Sequence, residues 1–190
     1  MRRQQDIALP NLPWQHSPTT LLSYLVLAER GSMTVLMLRP PVAADYTAIA
    51  AWIPDALACA RWAGPQLEYP FDAGELPQLL QVKRGASYVL CKSQADRFGF
   101  GQYRLRQPGV VHLCRIIVAP EARGNGLGKV LCRLLIDEAR SATAAQAVTL
   151  RVYRDNAAAY AIYSGLGFVP VEAESDAEVL MMKMTLKSPF

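Results

Sequence analysis

This chain has no apolar run long enough to cross a bilayer as a helix; Leu21 to Ala28, which follows Arg2 and Arg3, falls far short. No Lys/Arg run or basic patch interleaved with aromatics occurs, so neither a nucleic acid nor a membrane is expected as a partner. There are only two histidines and four cysteines, with no C-x-x-C and no Cys/His pairing, so no zinc spacing is present and no metal is expected. Cys59, Cys91, Cys114 and Cys132 stand far apart, and three of them lie in apolar runs. Buried thiols in a reducing, cytoplasmic setting are therefore expected rather than disulfides. Internal repeats and low-complexity tracts are absent as well. What is present is 190 residues, 52% apolar, with a formal charge of +4. That length fits one sizeable core, and the modest positive charge suits a polyanionic ligand.

The most informative segment is Arg123 to Gly128, R-G-N-G-L-G. It stands between the apolar strand Leu113 to Val118 and an apolar-periodic helix from Gly126 to Arg140. Glycine at every second position lets successive N–H groups turn toward one point without Cβ collisions. The helix start adds unbonded amides and the positive end of its dipole. Such a loop is built for phosphate. Its spacing rejects two familiar phosphate binders. A P-loop requires G-K-[ST], but Gly128-Lys129 is followed by Val130. A dinucleotide fingerprint requires G-x-G-x-x-G and an acid on the next strand. Here the third glycine comes one residue early, and Val148 to Val152 carries Arg151.

What remains is V-x-P-x-x-R-G-x-G-x-G, on Val118, Pro120, Arg123, Gly124, Gly126 and Gly128. Further on, residues 156–168 read N-A-A-A-Y-A-I-Y-S-G-L-G-F, which places Asn156, Ala159, Tyr163, Gly167 and Phe168 in N-x-x-A-x-x-x-Y-x-x-x-G-F. These two strings, in this order and separated by one helix and one strand, resemble the GCN5-related N-acetyltransferase (GNAT) superfamily. The motifs cover roughly residues 110–170, and the flanking strands extend the likeness to about 33–186. The resemblance implies an α/β fold with a mixed, largely antiparallel central sheet, helices on both faces and a splayed strand pair holding the CoA arm. It divides the chain into an N-terminal extension, 1–32, partly disordered with a short helix, and an acetyltransferase domain, 33–190.

The hydrophobic pattern agrees with that order of elements. Thr34 to Arg39 reads as a first strand, Ala43 to Ile53 and Asp55 to Trp62 as helices, and Gly74 to Lys83 as a further short helix. Ser87 to Lys92 and Gly99 to Arg106 form a hairpin, and Gln107-Pro108-Gly109 turns into the strand before the loop. Two strands, about Val169–Ala173 and Glu178–Leu186, close the chain. Ahead of the domain, Pro18 to Arg30 reads as an extra amphipathic helix; a signal peptide and a start at Met33 are the alternatives.

The resemblance also assigns chemistry. Arg123, Gly124, Asn125, Gly126, Leu127, Gly128 and Lys129 hold the pyrophosphate of acetyl-CoA, through main-chain N–H groups and two cations. Ile116, Ile117 and Val118 border the pantetheine arm, with a bulge near Ile117 freeing an N–H to polarise the thioester carbonyl. Asn156 caps its helix and also bonds the pantetheine region. Tyr163 is the candidate general acid for the departing thiolate. Many relatives place a glutamate base where this chain has His112, whose ordinary pKa near 6.5 suits a base acting directly or through water. Glu68, Asp72, Glu75 and a water relay are alternatives.

Substrate choice is expected within about residues 52–75, where Trp62, Glu68, Tyr69 and Asp72 combine aromatics with carboxylates suited to a cationic amine. The expected acceptor is thus a small-molecule or peptide primary amine. It attacks acetyl-CoA directly in a ternary complex, and a homodimer is suggested by the family. A CoA-binding sensor without turnover and a different acyl donor are the rivals.

Overall fold

Strands from Gly99 to Val118, rich in aromatic and β-branched residues, fold back on one another at Gly109 (φ 74°) and form the middle of a sheet. The structure is a computed structural model and describes residues 24–29 and 32–186. Among the described residues eight strands make one sheet. Its order is β1 (Tyr24–Glu29), β2 (Ser32–Arg39), β3 (Gly85–Cys91), β4 (Gly99–Gln107), β5 (Val110–Val118), β6 (Ala147–Tyr153), β8 (Val179–Thr185) and β7 (Val169–Pro170). Every neighbouring pair is antiparallel except β5 and β6. This is the mixed, largely antiparallel sheet expected from the sequence.

Alternation along the strands produces two cores. On one face Leu36, Leu38, Tyr88, Leu90, Tyr103, Val111 and Leu113 meet α4 (Leu127–Thr143) and α5 (Ala157–Ser164). On the other, Val89 and Phe100 meet α1 (Ala43–Ala51), α2 (Ala56–Ala63) and α3 (Leu76–Leu79). Helix α4 buries Leu131, Cys132, Leu134, Leu135, Ile136 and Ala139, the i, i+3, i+4 stripe that drives its packing. Within that stripe Glu138 accepts a hydrogen bond from the Tyr88 hydroxyl at 2.9 Å, so the buried polar pair is satisfied. Helix α2 is started by Asp55, whose Oδ1 accepts the Ala58 N–H at 2.7 Å, and is ended by Gly64 at φ 81°.

A buried ion cluster, with no motif to announce it, ties α1 to the sheet. Arg39 at the end of β2 donates from Nη1 to Asp45 Oδ2 at 2.5 Å and from Nη2 to Oδ1 at 2.8 Å. Arg97 Nε reaches Oδ1 at 2.8 Å, and the Val42 N–H reaches Oδ2 at 2.7 Å. Burial alone would push the Asp45 carboxyl upward, but Arg39, the Val42 N–H and Arg97 outweigh it and hold the group below the ordinary carboxylate range.

Two expectations need correction. Residues 24–29, expected in a helix over Pro18–Arg30, are strand β1, paired with β2 from Tyr24↔Met37 to Glu29↔Ser32. A short apolar run reads equally well as either element, and an open sheet edge that pairs six residues decides it for strand. The remainder of that expected helix, Pro18 to Ser23 and Arg30, lies outside the described residues, as do residues 1–17 of the extension expected to be partly disordered. The helix expected over 74–83 shrinks to Leu76–Leu79, because the chain must turn at Arg84 (φ 55°) to enter β3.

Candidate active site

The loop before α4 is fixed from three sides. Pro120–Ala122 forms a 3-10 turn, Arg123 Nε donates to the Val118 carbonyl at 3.1 Å, and Asn125 Nδ2 reaches the carbonyls of Ala122 and Arg123 at 3.4 and 3.3 Å. Gly124 and Gly126 stand at φ 79° and 72°, where a side chain would be strained. Gly128 has a different reason to be glycine: a Cβ there would come within 3.1 Å of Ile162 Cδ1 on α5. Among the described residues, the N–H groups of Gly124, Asn125, Gly126, Leu127 and Gly128 meet no acceptor. The Lys129 N–H, expected as a sixth donor, is bonded to the Gly126 carbonyl at 3.0 Å. The first helical hydrogen bond claims it, and Lys129 keeps only its exposed ammonium for a ligand.

Immediately before this loop, β5 parts from β6. The two strands pair only at Val110↔Ala147, Val111↔Val148 and His112↔Thr149; beyond that point they diverge. On its other edge β5 bulges. Cys114 pairs with Gln102 and Ile117 with Phe100, so Arg115 and Ile116 together oppose the single Gly101. Arg115 takes φ 51°, a left-handed conformation seldom held by a non-glycine residue. The bulge expected near Ile117 thus lies at Arg115–Ile116. Ile116, Ile117 and Val118 lie past the last β5–β6 pair, on the strand that leads into the loop.

A cleft of about 840 Å³ lies at this divergence, bounded by α2, the segment before β3, β4, β5 and β6. His112 lines it and is nearly buried, 7% exposed. Its Nδ1 is 2.9 Å from Thr149 Oγ1, and the Thr149 hydroxyl donates to the Val111 carbonyl at 3.2 Å. Thr149 has spent its proton, so Nδ1 carries the hydrogen and Nε2 the lone pair. Burial, then the charges of Arg104, Arg106 and Arg151, lower the His112 pKa to about 4. The expectation of a base titrating near 6.5 is corrected by these surroundings, in which His112 is a neutral acceptor of low basicity. Cys114, also on the cleft wall, has its thiol pushed up by burial and stays protonated.

The other expected residues are distributed unevenly. Trp62 lines the cleft, its ring edge-on to Phe100 at 6.1 Å. Glu68, Tyr69 and Asp72 do not line it. Glu68 is exposed; Tyr69 donates its hydroxyl to the Pro54 carbonyl at 3.1 Å and packs edge-on against Phe71; Asp72 Oδ1 accepts the Gly74 N–H at 2.6 Å. Local turn bonding holds the segment away from the divergence. Asn156 caps α5, its Oδ1 accepting the Ala159 N–H at 3.1 Å. Tyr163 is buried behind the sheet against Phe168 and near Cys132, and burial drives its hydroxyl well above the usual tyrosine range. Sequence reasoning passed over Arg104, Arg115 and Arg151, which line the cleft. The available signal was strand parity for Arg104 and Arg151, which lie on the face away from α4; Arg115 shares its parity with Val111 and Leu113 and is turned to that face only by the bulge. A second cleft, of about 800 Å³, flanks the loop on its other side, between Trp52, Lys92, Arg97 and Asn125.

A profile of the acetyltransferase (GNAT) family matches residues 55–168, from the α2 cap through the Phe168 that closes on Tyr163. The chain belongs to the GNAT acetyltransferase family. Solved structures share the fold. Spermidine N-acetyltransferase from Vibrio cholerae, in complex with CoA and spermine, is 20% identical over 79% of this GNAT chain and 95% of its own, with a TM-score of 0.66. The ribosomal-protein-S18-alanine N-acetyltransferase of Escherichia coli is 20% identical over 82% and 96%, with a TM-score of 0.59. YncA from Salmonella typhimurium, solved with its cofactor acetyl-CoA, is 21% identical over 82% and 96%, also at 0.59. Among the described residues of this GNAT chain, no cluster of His, Cys, Asp and Glu could hold a metal, and no helix is long and apolar enough to cross a membrane.

Proposed function

We propose that the protein transfers an acetyl group from acetyl-CoA to a primary amine by direct attack in a ternary complex. One observation carries this reading: the parting of β5 from β6 after His112 and Thr149 runs straight into a loop with five unpartnered main-chain N–H groups. Such a loop fits a diphosphate, and a gap between strands fits an extended chain that pairs with strand backbone. Family membership and the fold shared with CoA-bound and acetyl-CoA-bound proteins support the same assignment.

In this proposal the N–H groups of Gly124 to Gly128 hold the diphosphate of acetyl-CoA, with the Arg123 guanidinium and the Lys129 ammonium adding charge. The pantetheine arm lies along Ile116, Ile117 and Val118, with the α5 end at Asn156 on its far side. An N–H released by the bulge at Arg115–Ile116 bonds the thioester oxygen and stabilises the tetrahedral intermediate. The acceptor approaches through the cleft that Trp62 and His112 line. Its nitrogen forms the C–N bond, the C–S bond breaks, and Tyr163 gives its proton to the departing thiolate. The proton lost by the nitrogen passes to water or to His112 Nε2. Burial keeps the Tyr163 hydroxyl protonated until the thiolate leaves, as an acid must be, and the proton it then gives up is replaced by the one the nitrogen loses.

The test is thiol release from acetyl-CoA against a panel of amines, with Tyr163→Phe beside the wild type and acetyl-CoA affinity measured by calorimetry. Turnover that falls about a hundredfold in the variant, at unchanged affinity, supports the assignment. The low basicity of His112 favours one other reading, a CoA-binding protein without turnover. Tight binding with no release from any amine would select that reading. Absence of binding would remove both.

A further inference from the structure

The proposed acceptor cleft carries charge of one sign. Arg61, Lys83, Arg84, Arg104, Arg115 and Arg151 line it, and no aspartate or glutamate does. Carboxylates nearby are already engaged, one of them with the cleft's own Arg61. Asp155 pairs with Arg61, Glu174 with Arg106 and Glu172 with Arg154. Asp176, which faces Arg151, accepts the N–H groups of Glu178 and Val179, and Glu178 faces the already paired Arg61. Lys83, Arg84, Arg104 and Arg151 are left with no carboxylate at ion-pair distance among the described residues.

Further in, Arg115 is held by neutral groups alone, donating from Nη1 to Gln102 Oε1 at 2.7 Å and to the Leu80 carbonyl at 3.4 Å. Its Nε is buried with no partner among the described residues, and so is the indole N–H of Trp62. Both nitrogens belong to residues that line the cleft, though each is itself closed to solvent. A buried donor without an acceptor carries a desolvation cost, which a ligand group that reaches it relieves. Cations and unmatched donors together repel a polyamine and suit a carboxylate, whose two oxygens fit the guanidinium fork.

We infer that the acceptor is a primary amine that itself carries a carboxylate, bound by Arg104, Arg115 and Arg151 with its nitrogen directed to the β5–β6 divergence. This rests on the acetyltransferase reading above and narrows its substrate. His112 Nε2 is the complementary feature, a lone pair among donors, suited to receive an N–H of the amine. The same positive field disfavours an ammonium ion and so favours the uncharged amine that attacks. It thereby does part of the work of the glutamate base that this chain lacks. The overall transfer balances as before: a C–N bond replaces a C–S bond, and the one proton lost by the amine nitrogen makes up the one gained by the thiolate to give the thiol.

The decisive comparison is thiol release with L-amino acids, each beside its C-terminal amide, and with putrescine and spermidine, for wild type and an Arg104→Gln/Arg151→Gln double variant. The expected result is an amino acid preferred over its own amide by about tenfold or more in kcat/KM, with neither polyamine approaching it. In the double variant that preference falls toward unity through a higher KM for the acid. Calorimetry on the CoA-loaded protein should show the best amino acid binding to wild type and much less to the variant. Preference for amides or polyamines overturns the inference while leaving the acetyltransferase reading intact. So does an unchanged ratio in the variant, or a CoA-loaded protein that neither binds nor acetylates any amino acid. A double variant that loses acetyl-CoA affinity instead assigns these cations to the cofactor and also overturns it. Failure of the wild type to bind acetyl-CoA is the separate outcome that removes the underlying reading.

Discussion

His112 and Thr149 face each other across the last rung of the β5–β6 ladder, and the 2.9 Å bond between Nδ1 and Oγ1 closes the point from which the strands diverge. That position makes His112 a sensor of stability against pH. An unfolded histidine takes up its proton near pH 6.5, whereas in the fold burial and then Arg104, Arg106 and Arg151 delay uptake until about 4. Between those values the unfolded state binds the additional proton. Stability is therefore complete above about pH 6.5 and is lost as the pH falls toward 4, by roughly 3 kcal/mol. His112→Gln should flatten this slope in a series of melting curves, and an unchanged slope would contradict the assignment. Activity between pH 6 and 9 should carry no His112 titration.

Asp45 works in the opposite electrostatic sense. Its carboxylate neutralises Arg39, which is only 4% exposed, and also receives Arg97. Asp45→Asn leaves the Arg39 guanidinium buried against a weaker acceptor, and removing one partner of a buried pair costs about 3–5 kcal/mol. Urea unfolding should show that loss at pH 7. In wild type the contribution of Asp45 is full above its ordinary carboxylate pKa and disappears as the pH falls through the lowered folded value. At pH 7 a loss below about 1 kcal/mol would mean that the pair is compensated by water or relaxation.

The legible parts of this molecule were those with local signals. The R-G-N-G-L-G loop, the α5 cap at Asn156 and the hairpin at Gly109 rest on backbone conformations that particular residues favour, so their chemistry can be read along the chain. The proposed acceptor side was not legible in that way. Arg104, Arg115 and Arg151 come from three strands, and only the sheet register places them around one cleft. Glu68, Tyr69 and Asp72 fall outside this cleft, where carboxylates and aromatics near a proline satisfy turns. The Arg39–Asp45–Arg97 cluster was hidden for the same reason as the arginine cleft, since Arg97 is brought to α1 by the β3–β4 connection.

Gly126 and Gly128 should respond differently to the same substitution. Alanine at 126 must hold φ near 72° with nothing within 4 Å to clash, so its cost is conformational, about 1–2 kcal/mol, and falls on the loop. Alanine at 128 meets Ile162 Cδ1 at 3.1 Å and pushes on the α4–α5 contact. Gly126→Ala should weaken acetyl-CoA binding about tenfold in calorimetry with a modest change in Tm. Gly128→Ala should lower Tm and carry α5, with Tyr163, away from its position, so kcat falls more than affinity. Identical effects of the two would show that both glycines serve the loop alone.

Arg115→Gly sets two effects of opposite sign against each other. Glycine removes the strain of φ 51°, worth about 1 kcal/mol. It also removes the donor to Gln102 Oε1, a side chain with 0% exposure, and leaves that acceptor buried and unmatched. A charge-assisted bond contributes about 1.5–3 kcal/mol, so the loss outweighs the relief and the variant should be less stable by about 1 kcal/mol. Arg115→Lys separates the contributions, since it retains the strain and a charge but lacks the planar fork. If Arg115 binds a carboxylate, both variants raise KM for the acidic amine, and the lysine variant does so without the additional unfolding. A glycine variant more stable than wild type would instead show that the left-handed turn, and not the Gln102 bond, dominates the energetics of the bulge.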